Sequence, residues 1–268
     1  MKVSIITVCL NSEATIDRTI RSVISQANVD LEYIIVDGES TDRTLEIVNR
    51  YKDSVSILIS ERDEGISDAF NKGIRCATGD IIGIINSDDR LREGSLEHLC
   101  RTIQPDTDVL FGNGIRDYQD GTGKRYIANP DPSALHKFMS MVHPAVFIRK
   151  STYEKYGLFD TSFKYTMDRE LLLRFLNRGA VFQYDDYYYA YYSMGGTSDT
   201  NYVKKLLPEK LRLDRAEGVP IVKSRFMFVK SMIKNRLVVL RNKLGADFRK
   251  ERIEELYSHV LQEVTSRS

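Results

Sequence analysis

Ile81-Ile82-Gly83-Ile84-Ile85-Asn86-Ser87-Asp88-Asp89 decides the fold, because a short apolar run ends abruptly in polar side chains. A continuous apolar run of this length is typical of a strand buried on both faces of a parallel sheet. Three similar runs precede it, at Val3 to Leu10, Tyr33 to Val36 and Ile57 to Ile59. Apolar residues at helical spacing lie between the runs. Alternating strands and helices predict an α/β fold with a Rossmann-like, mainly parallel sheet flanked by helices.

The segments around this frame predict further elements. The first helix should start from a Ser12 cap and bury Ile16, Ile20, Val23 and Ile24, and Ser40 or Thr41 should cap the second. Further helices are predicted at Ile66 to Arg75, Ser95 to Ile103 and Asp168 to Arg178. Further strands are predicted at Val109 to Phe111, Ala145 to Ile148 and Ala180 to Tyr184, and residues 117–125 suggest a hairpin tip.

Polar side chains follow the predicted strands at the point where each strand ends. Asn11, Asp37, Asp63 and the pair Asp88-Asp89 all take such positions. In open α/β sheets, ligands bind beyond the carboxyl ends of the strands. The sequence therefore predicts a binding site at one edge of the sheet.

Composition and charge limit the class of protein. The chain has 268 residues, 42% of them hydrophobic, and a formal net charge of +1, which does not favour nucleic-acid binding. Its three cysteines, Cys9, Cys76 and Cys100, include no close pair, which favours a reducing compartment. The N-terminus lacks the features of a secretory signal, and no apolar stretch approaches the ~20 residues of a spanning helix. We expect a cytoplasmic protein, either soluble or peripheral on the inner face of the cell membrane.

Asp88-Asp89 and Asp37 each allow two interpretations. Adjacent carboxylates at a ligand-binding edge suit Mg²⁺ or Mn²⁺, but Asn, Ser and Asp also form turns. Asp37 either accepts hydrogen bonds from a ribose or base, or caps the next turn. Residues 121–124 resemble a phosphate loop only superficially, and no Gly-x-Gly-x-x-Gly follows the first strand, which counts against a dehydrogenase.

Several motifs in order resemble family 2 glycosyltransferases, in particular bacterial enzymes of colanic acid, exopolysaccharide and O-antigen synthesis. They are Thr7 to Asn11, Ile35 to Asp42, Ser60 to Gly73, Ala77 to Asp80 and Asn86 to Asp89. The second half adds His143 to Arg149, Tyr156 to Asp160, Tyr165 to Leu171 and Gly195 to Ser198. The resemblance implies a GT-A type domain over 1–200, with a nucleotide-binding half at 1–104, an acceptor half at 105–200 and a helical extension at 201–268.

The resemblance also implies roles for individual residues. Thr7, Asn11 and Asp37 would line the nucleotide pocket, and Asp63, Asp68 and Asn71 would lie near the ribose, diphosphate or donor sugar. Asn86, Ser87 and Asp88 would stand in for the family's Asp-x-Asp motif. Asp88 would bind Mg²⁺ or Mn²⁺ with support from Asp89. The departure is Asn86, which replaces the family's first Asp and offers an oxygen without a charge, so we expect a lower metal affinity.

Asp168 matches the acidic residue that acts as the family's catalytic base. Its alternative role is a helix N-cap. His143 either touches the acceptor or diphosphate, or is a satisfied core histidine. The implied reaction is inverting transfer of a sugar, from a UDP-sugar by the family's commonest usage, to a saccharide or lipid-linked saccharide. Asp88 and Asp168 should then face each other across one cleft.

The end of the chain is basic and amphipathic over 220–250. Phe226, Val229, Ile233, Leu237, Leu240 and Leu244 share one stripe. Such a helix either lies on an anionic membrane surface or packs on protein, including the second subunit of a homodimer. Two other functional classes stay open: a sugar-phosphate nucleotidyltransferase, which should carry a Gly-rich phosphate loop, and a non-catalytic nucleotide-sugar-binding module.

Overall fold

The computed structural model describes residues 1–117, 123–128, 130–193, 202–222 and 224–226. The strands within these ranges are β1 (Lys2–Cys9), β2 (Asp30–Asp37), β3 (Ile57–Ser60), β4 (Ile81–Ile84), β5 (Arg90–Leu91), β6 (Val109–Asp117), β7 (Gly123–Tyr126), β8 (Val146–Arg149) and β9 (Phe182–Ser193). The α-helices are α1 (Ile16–Ile24), α2 (Thr44–Asn49), α3 (Ile66–Cys76), α4 (Ser95–Thr102), α5 (Lys150–Tyr156), α6 (Met167–Asn177) and α7 (Tyr202–Ala216). Short 3₁₀ turns occur at Pro132–His136 and His143–Ala145.

The strands form one mixed sheet in the order β3-β2-β1-β4-β8-β6-β9-β5, with β7 paired to β6. The first four strands are parallel, as the alternating pattern predicted. β8 runs antiparallel to both β4 and β6, whereas β6 and β9 are parallel. The parallel prediction therefore holds for the first half, and the second half adds antiparallel pairs.

The core lies on both faces of the first strands. Ile5, Ile34 and Ile35 are fully buried, and α1 covers one face with Ile16 and Ile20. Burying a side chain of this size contributes about 1.5–3 kcal/mol, so these strands form the stable base of the sheet. Their carboxyl ends are consequently held in fixed positions.

Gly79 marks a close approach between the turn before β4 and the start of β1. A Cβ at Gly79 would lie 2.7 Å from the backbone nitrogen of Ser4 and 3.0 Å from the carbonyl oxygen of Lys2. Backbone atoms in a sheet have little room to shift, so only glycine fits here. The glycine in the Ala77 to Asp80 motif is therefore a packing requirement.

The predicted helix caps are wrong. α1 begins at Ile16, and the Ser12 hydroxyl contacts the Leu10 carbonyl and the Ser87 hydroxyl instead of capping the helix. α2 begins at Thr44, where Asp42 accepts hydrogen bonds from the backbone N–H and the hydroxyl of Thr44. The side chains predicted as caps instead form hydrogen bonds between loops. A local capping pattern does not reveal such contacts.

The last strand is much longer than predicted. The prediction ended this strand at Tyr184, yet β9 continues through Asp185 and Asp186 to Ser193. Asp185 accepts a hydrogen bond from the Tyr189 hydroxyl at 2.5 Å, and Asp186 accepts one from Asn113 Nδ2 at 2.8 Å. These partners satisfy both carboxylates within the strand. The predicted hairpin is confirmed by the pairing of β6 with β7, while its tip at 118–122 lies outside the described residues.

The chain divides into two compact units, Met1–Leu206 and Leu207–Ser268. Described residues of the second unit include Asp214, which is buried and bonded to Lys210 and Ser224. Most of the amphipathic segment predicted over 220–250 lies outside the described residues, as does the Gly195 to Ser198 motif. Among the described helices, none combines the length and the apolar character needed to cross a membrane.

Candidate active site

The carboxyl ends of β1, β2 and β4 meet at one edge of the sheet, because the three strands are parallel neighbours. β8 is antiparallel to β4, so the start of β8 and the preceding turn His143–Ala145 lie at the same edge. The end of β9 also reaches this edge, where Ser193 bonds the loop after β4. The convergence of polar groups predicted from the sequence is confirmed for these elements.

The loop Asn86–Asp89 is bonded into its surroundings mainly through its backbone. The Thr19 hydroxyl donates to the carbonyl oxygens of Ser87 and Asp89, at 2.9 and 2.7 Å. The Ser193 hydroxyl donates to the carbonyl oxygen of Asp88 at 2.7 Å. The Asp88 carboxylate accepts no hydrogen bond from any described residue, so it stays available to a ligand.

Asp89 differs from its neighbour because it is buried and paired. Its Oδ1 accepts from the backbone N–H of Ser193 at 2.9 Å, and its Oδ2 accepts from Asn86 Nδ2 at 3.2 Å. Burial, together with the negative charge of Asp88, raises the pKa of Asp89 to about 7, against the opposing effect of these hydrogen bonds. Because both carboxylate oxygens of Asp89 accept hydrogen bonds from the protein, we assign Asp89 a supporting role beside Asp88.

Arg18 is a member of the site that the sequence did not reveal. From α1 its Nη2 donates to the Asp88 carbonyl oxygen at 3.0 Å and contacts the Ser193 hydroxyl at 3.1 Å. It therefore brings a positive charge next to the acidic loop. A lone arginine on a helix carries no motif, and only the packing of α1 beside this loop shows its position.

Asn11 and Asp37 organise the ends of β1 and β2. Asn11 has a positive φ of 49°, and its Oδ1 accepts from the Thr41 N–H at 2.9 Å. Asp37 is fully buried and accepts from the Ser40 N–H at 3.1 Å and the Ser60 hydroxyl at 2.8 Å. Both side chains fix the loop that follows β2, and their predicted contact with a nucleotide stays a prediction.

Thr7 and Asn71 are turned toward protein groups. Thr7 is fully buried and accepts a hydrogen bond from the Tyr33 hydroxyl at 3.1 Å. The Asn71 amide donates to the Phe159 carbonyl at 2.9 Å and accepts from the Phe159 N–H at 3.0 Å. The Thr7 hydroxyl and the Asn71 amide are both buried, so neither is exposed to a donor substrate in this structure. The geometry gives both residues a structural role, and their predicted contact with the nucleotide-sugar stays a prediction.

Asp63 and Asp68 lie around the start of α3. Asp63 Oδ1 accepts from the Gly65 N–H at 2.9 Å, and Asp68 forms an ion pair with Lys72 at 3.4 Å. Oδ2 of Asp63 lies so close to Gly38 that a Cβ there would come within 2.5 Å of it. Asp63 is thus held against the end of β2, whereas Asp68 is engaged on its own helix.

Asp168 and His143 line one small cavity. Its volume is ≈ 10 Å³, about enough for one water molecule, and its walls are otherwise apolar or aromatic. These walls are formed by Ile82, Ile84, Val146, Ile148, Tyr153, Phe159, Leu171 and Leu172. Burial lowers the pKa of His143, and the nearby Asp168 opposes this effect. An imidazole that stays neutral beside a carboxylate at the start of α6 is suited to proton transfer.

The Asp168 side chain is held at the first turn of α6 by the backbone of the next residue. Its Oδ1 accepts from the Arg169 N–H at 2.7 Å. The buried Arg169 side chain donates to the Leu135 carbonyl at 2.8 Å and the His136 carbonyl at 2.9 Å. The start of α6 is therefore tied to the 3₁₀ turn Pro132–His136, which fixes the direction of Asp168.

The residues around Asp88 fit a hard divalent cation. Asn86 Oδ1 is buried without a hydrogen-bond partner, and the Asp88 carboxylate is likewise unbonded within the described part of the chain. Across that same part, no group of three or more His, Cys, Asp or Glu side chains is arranged to hold a metal ion. The protein thus supplies one or two oxygens, which suits Mg²⁺ or Mn²⁺ that takes its other ligands from phosphate and water. That Asp88 and Asp168 face each other across one cleft stays a prediction.

Comparison with known proteins assigns the sequence to a known family. The sequence model of Glycosyl transferase family 2 matches residues 4–172. A relative from Mycobacterium bovis (strain BCG / Pasteur 1173P2), a PGL/p-HBAD biosynthesis glycosyltransferase, is 29% identical over 82% of this chain and 87% of its own. An uncharacterized glycosyltransferase of Mycobacterium tuberculosis (strain ATCC 25618 / H37Rv) is 29% identical over 64% of this chain and 68% of its own.

Solved structures share the fold. S. aureus TarS 1–349 in complex with UDP-GlcNAc aligns with a TM-score of 0.65 and 18% identity, covering 97% of this chain and 72% of TarS. The mannosyltransferase PcManGT from Pyrobaculum calidifontis, in complex with GDP-Man and Mn²⁺, aligns with a TM-score of 0.64 and 14% identity, covering 98% and 79%. These similarities confirm the predicted GT-A type fold. The chain belongs to glycosyl transferase family 2.

Proposed function

We propose that this glycosyltransferase moves a sugar from a nucleotide-sugar to a hydroxyl of a saccharide, with inversion at the anomeric carbon. One observation carries the proposal: Asp168 and His143 line a cavity whose wall includes Ile84, and β4 continues from Ile84 into the loop that holds Asp88. The candidate base therefore shares a cavity with β4, the strand that leads into the loop of the candidate cation ligand.

Asp168 is the proposed base. It removes the proton from the acceptor hydroxyl while that oxygen attacks the anomeric carbon, and the bond from this carbon to the nucleotide diphosphate breaks. One displacement inverts the anomeric centre and needs no covalent intermediate. The apolar walls around Asp168 exclude bulk water, which limits hydrolysis of the donor. Neutral His143 supports Asp168 without adding a second charge.

Asp88 is the proposed ligand for Mg²⁺ or Mn²⁺, with Asn86 Oδ1 as its neighbour. A bound divalent cation supplies Lewis-acid stabilisation of the charge that develops on the departing diphosphate. Arg18 adds a second positive charge beside this loop, and Asp89 and Ser193 hold the loop in place. The Mn²⁺ in the PcManGT complex supports the choice of cation.

The finer substrate assignment rests on the family. We propose a UDP-sugar as donor and a saccharide, lipid-linked at the cytoplasmic face of the membrane, as acceptor in bacterial surface polysaccharide synthesis. UDP-GlcNAc in TarS and GDP-Man in PcManGT show that neighbours of this fold take different nucleotides. Asn11, Asp37, Asp63 and Asp68 are the proposed surroundings of the nucleotide and ribose.

The test is a panel of nucleotide-sugars incubated with the full chain and Mn²⁺ or Mg²⁺, with release of nucleoside diphosphate as the readout. Release that depends on the cation and on one sugar nucleotide supports the proposal. Formation of nucleoside triphosphate from pyrophosphate would instead indicate a nucleotidyltransferase. Binding of a nucleotide-sugar with no release would indicate a non-catalytic binding module.

A further inference from the structure

An arginine-lined groove lies between α1 and β5, beside the loop that carries Asp88. It is open and has a volume of ≈ 670 Å³. Arg18 and Arg21 line it from α1, and Arg90 and Arg92 line it from β5 and the residue that follows. Tyr191 of β9 completes the wall. We define these residues as the arginine groove.

The positive charge of the groove is only partly neutralised. Arg21 pairs with Asp17 at 2.8 Å, and Arg90 pairs with Asp117 at 2.6 Å. Arg18 and Arg92 form no ion pair with a carboxylate anywhere in the described ranges. Glu93 also lines the groove, but it is exposed and pairs with neither of them. Arg18 lies close enough to Asp89 for its charge to lower the pKa of that carboxyl, so the least compensated charge of the groove is that of Arg92.

The arginines also have unused hydrogen-bond donors. Arg18 and Arg90 bond to other described residues only through Nη2, and the Nε atom of each is buried without an acceptor. The Arg92 guanidinium donates to no described residue. A buried hydrogen-bond donor without a partner is costly. A ligand in the groove, or a water molecule held by that ligand, would supply the missing acceptor.

Aromatic rings hold two of these guanidinium groups in place. Arg90 lies over the ring of Tyr191 at 4.6 Å, and Arg92 lies over the ring of Tyr187 at 5.1 Å. Tyr187 is in turn stacked on His98, with 3.9 Å between the ring centroids. A guanidinium fixed in this way loses less freedom when it binds, which favours recognition of a small anion.

The groove adjoins the loop that carries Asp88 through one of its arginines. Arg18 lines the groove and donates to the Asp88 carbonyl, while Arg90 follows Asp89 directly in the chain. Arg18 therefore connects the groove to the backbone of the loop that presents Asp88.

We propose that the arginine groove binds a phosphate or diphosphate group carried by the acceptor, an inference that rests on the proposed function. Guanidinium groups match phosphate oxygens with paired, charge-assisted hydrogen bonds. The four arginines line one open groove, and their grouping suits a discrete phosphate. The acceptor class is thus a phosphorylated saccharide. The groove binds its phosphate group, and Asp168 deprotonates its sugar hydroxyl.

Isothermal titration calorimetry at low ionic strength with chelator present tests the proposal without turnover. Inorganic pyrophosphate is the first probe, and farnesyl diphosphate is the second. We expect Arg92→Gln to weaken binding of pyrophosphate about tenfold, the loss expected for one charge-assisted contact. Arg75→Gln removes the same charge from an exposed, unpartnered position on α3 and should bind like wild type.

The two probes distinguish the source of the phosphate. Farnesyl diphosphate binding more tightly than pyrophosphate assigns a lipid-linked acceptor, and equal binding assigns a soluble sugar phosphate. Arg92→Lys should bind between wild type and Arg92→Gln, and circular dichroism should show all variants folded. Absence of binding by wild type, or equal loss in Arg75→Gln and Arg92→Gln, overturns the proposal. Because no nucleotide-sugar is present, this result is independent of whether the chain releases nucleoside diphosphate.

Discussion

Asp89 Oδ1 accepts a hydrogen bond of 2.9 Å from the backbone N–H of Ser193, which joins the loop after β4 to the last residue of β9. The adjacent Asp88 makes no such side-chain bond within the described structure. Two neighbouring aspartates thus have separable roles: one holds the loop, and the other is free to meet a ligand.

Replacing each aspartate by alanine should separate stability from catalysis. Asp89→Ala leaves the Ser193 N–H and the Asn86 amide unpaired in a buried place, so we expect a loss of about 1–3 kcal/mol in the free energy of unfolding. Asp88→Ala should leave that free energy within about 0.5 kcal/mol of wild type, yet lower turnover at least ~10²-fold. Urea unfolding and release of nucleoside diphosphate measure the two quantities. Equal effects of both variants on unfolding would contradict the assignment.

Asp168→Asn should abolish most of the turnover while the fold is kept. The amide is nearly the same size, and its oxygen still accepts from the Arg169 N–H, but it takes up no proton. We expect kcat to fall at least ~10²-fold, with little change in the KM for the donor. Glu154→Gln, an exposed carboxylate on α5, is the matched control. A kcat within threefold of wild type, about 0.6 kcal/mol, would exclude Asp168 as the base.

The parallel half of the fold is predictable because its signals are local. The apolar runs form β1 up to Cys9 and β4 up to Ile84, and their apolar residues are buried except Leu10, which is exposed beyond the end of β1. The antiparallel pairing of β8 with β4 and β6 depends on contacts between distant segments, which no periodicity encodes. The helix caps failed for the same reason, since Ser12 is bonded to Ser87, far along the chain.

The site shows a similar division. Strand ends placed Asp37, Asp88 and Asp89 at one edge, and the family resemblance placed Asp168 at the start of α6. Arg18 escaped prediction because its role comes from the packing of α1 against the acidic loop. The hydrogen bonds of Asn71 to Phe159 escaped prediction because they join segments far apart in the chain.

Asn71→Ala should therefore weaken folding more than donor binding. It removes both hydrogen bonds to Phe159 from a buried place, and the unpaired backbone groups there should cost about 1–3 kcal/mol. We expect a lower midpoint of urea unfolding, with the KM for the nucleotide-sugar within about twofold, or 0.4 kcal/mol, of wild type. Asn49→Ala, at the exposed end of α2, serves as the control for loss of an amide. A raised KM without loss of stability would support the predicted binding role.

Glu32 gives the fold a pH dependence that is independent of the active site. Burial alone would raise its pKa, but hydrogen bonds from Lys2, Ser4 and Thr78 outweigh this effect and lower the pKa from 4.5 to about 2. The folded chain therefore keeps Glu32 charged where the unfolded chain protonates it. This stabilisation is complete above about pH 4.5 and is lost as the pH falls to about 2; from the shift it amounts to at most about 3 kcal/mol.

Comparison of wild type with Glu32→Gln at two pH values isolates this contribution. Glutamine keeps the shape but not the charge, so wild type should be the more stable at pH 7, by up to about 3 kcal/mol. The advantage should shrink to about 1 kcal/mol at pH 3, where the unfolded chain has already protonated Glu32. Urea unfolding of both proteins at each pH gives the difference. Only a charged group loses its contribution on protonation. A difference in stability that stays constant between pH 7 and pH 3 would therefore show that the charge of Glu32 does not stabilise the contact between β1 and β2.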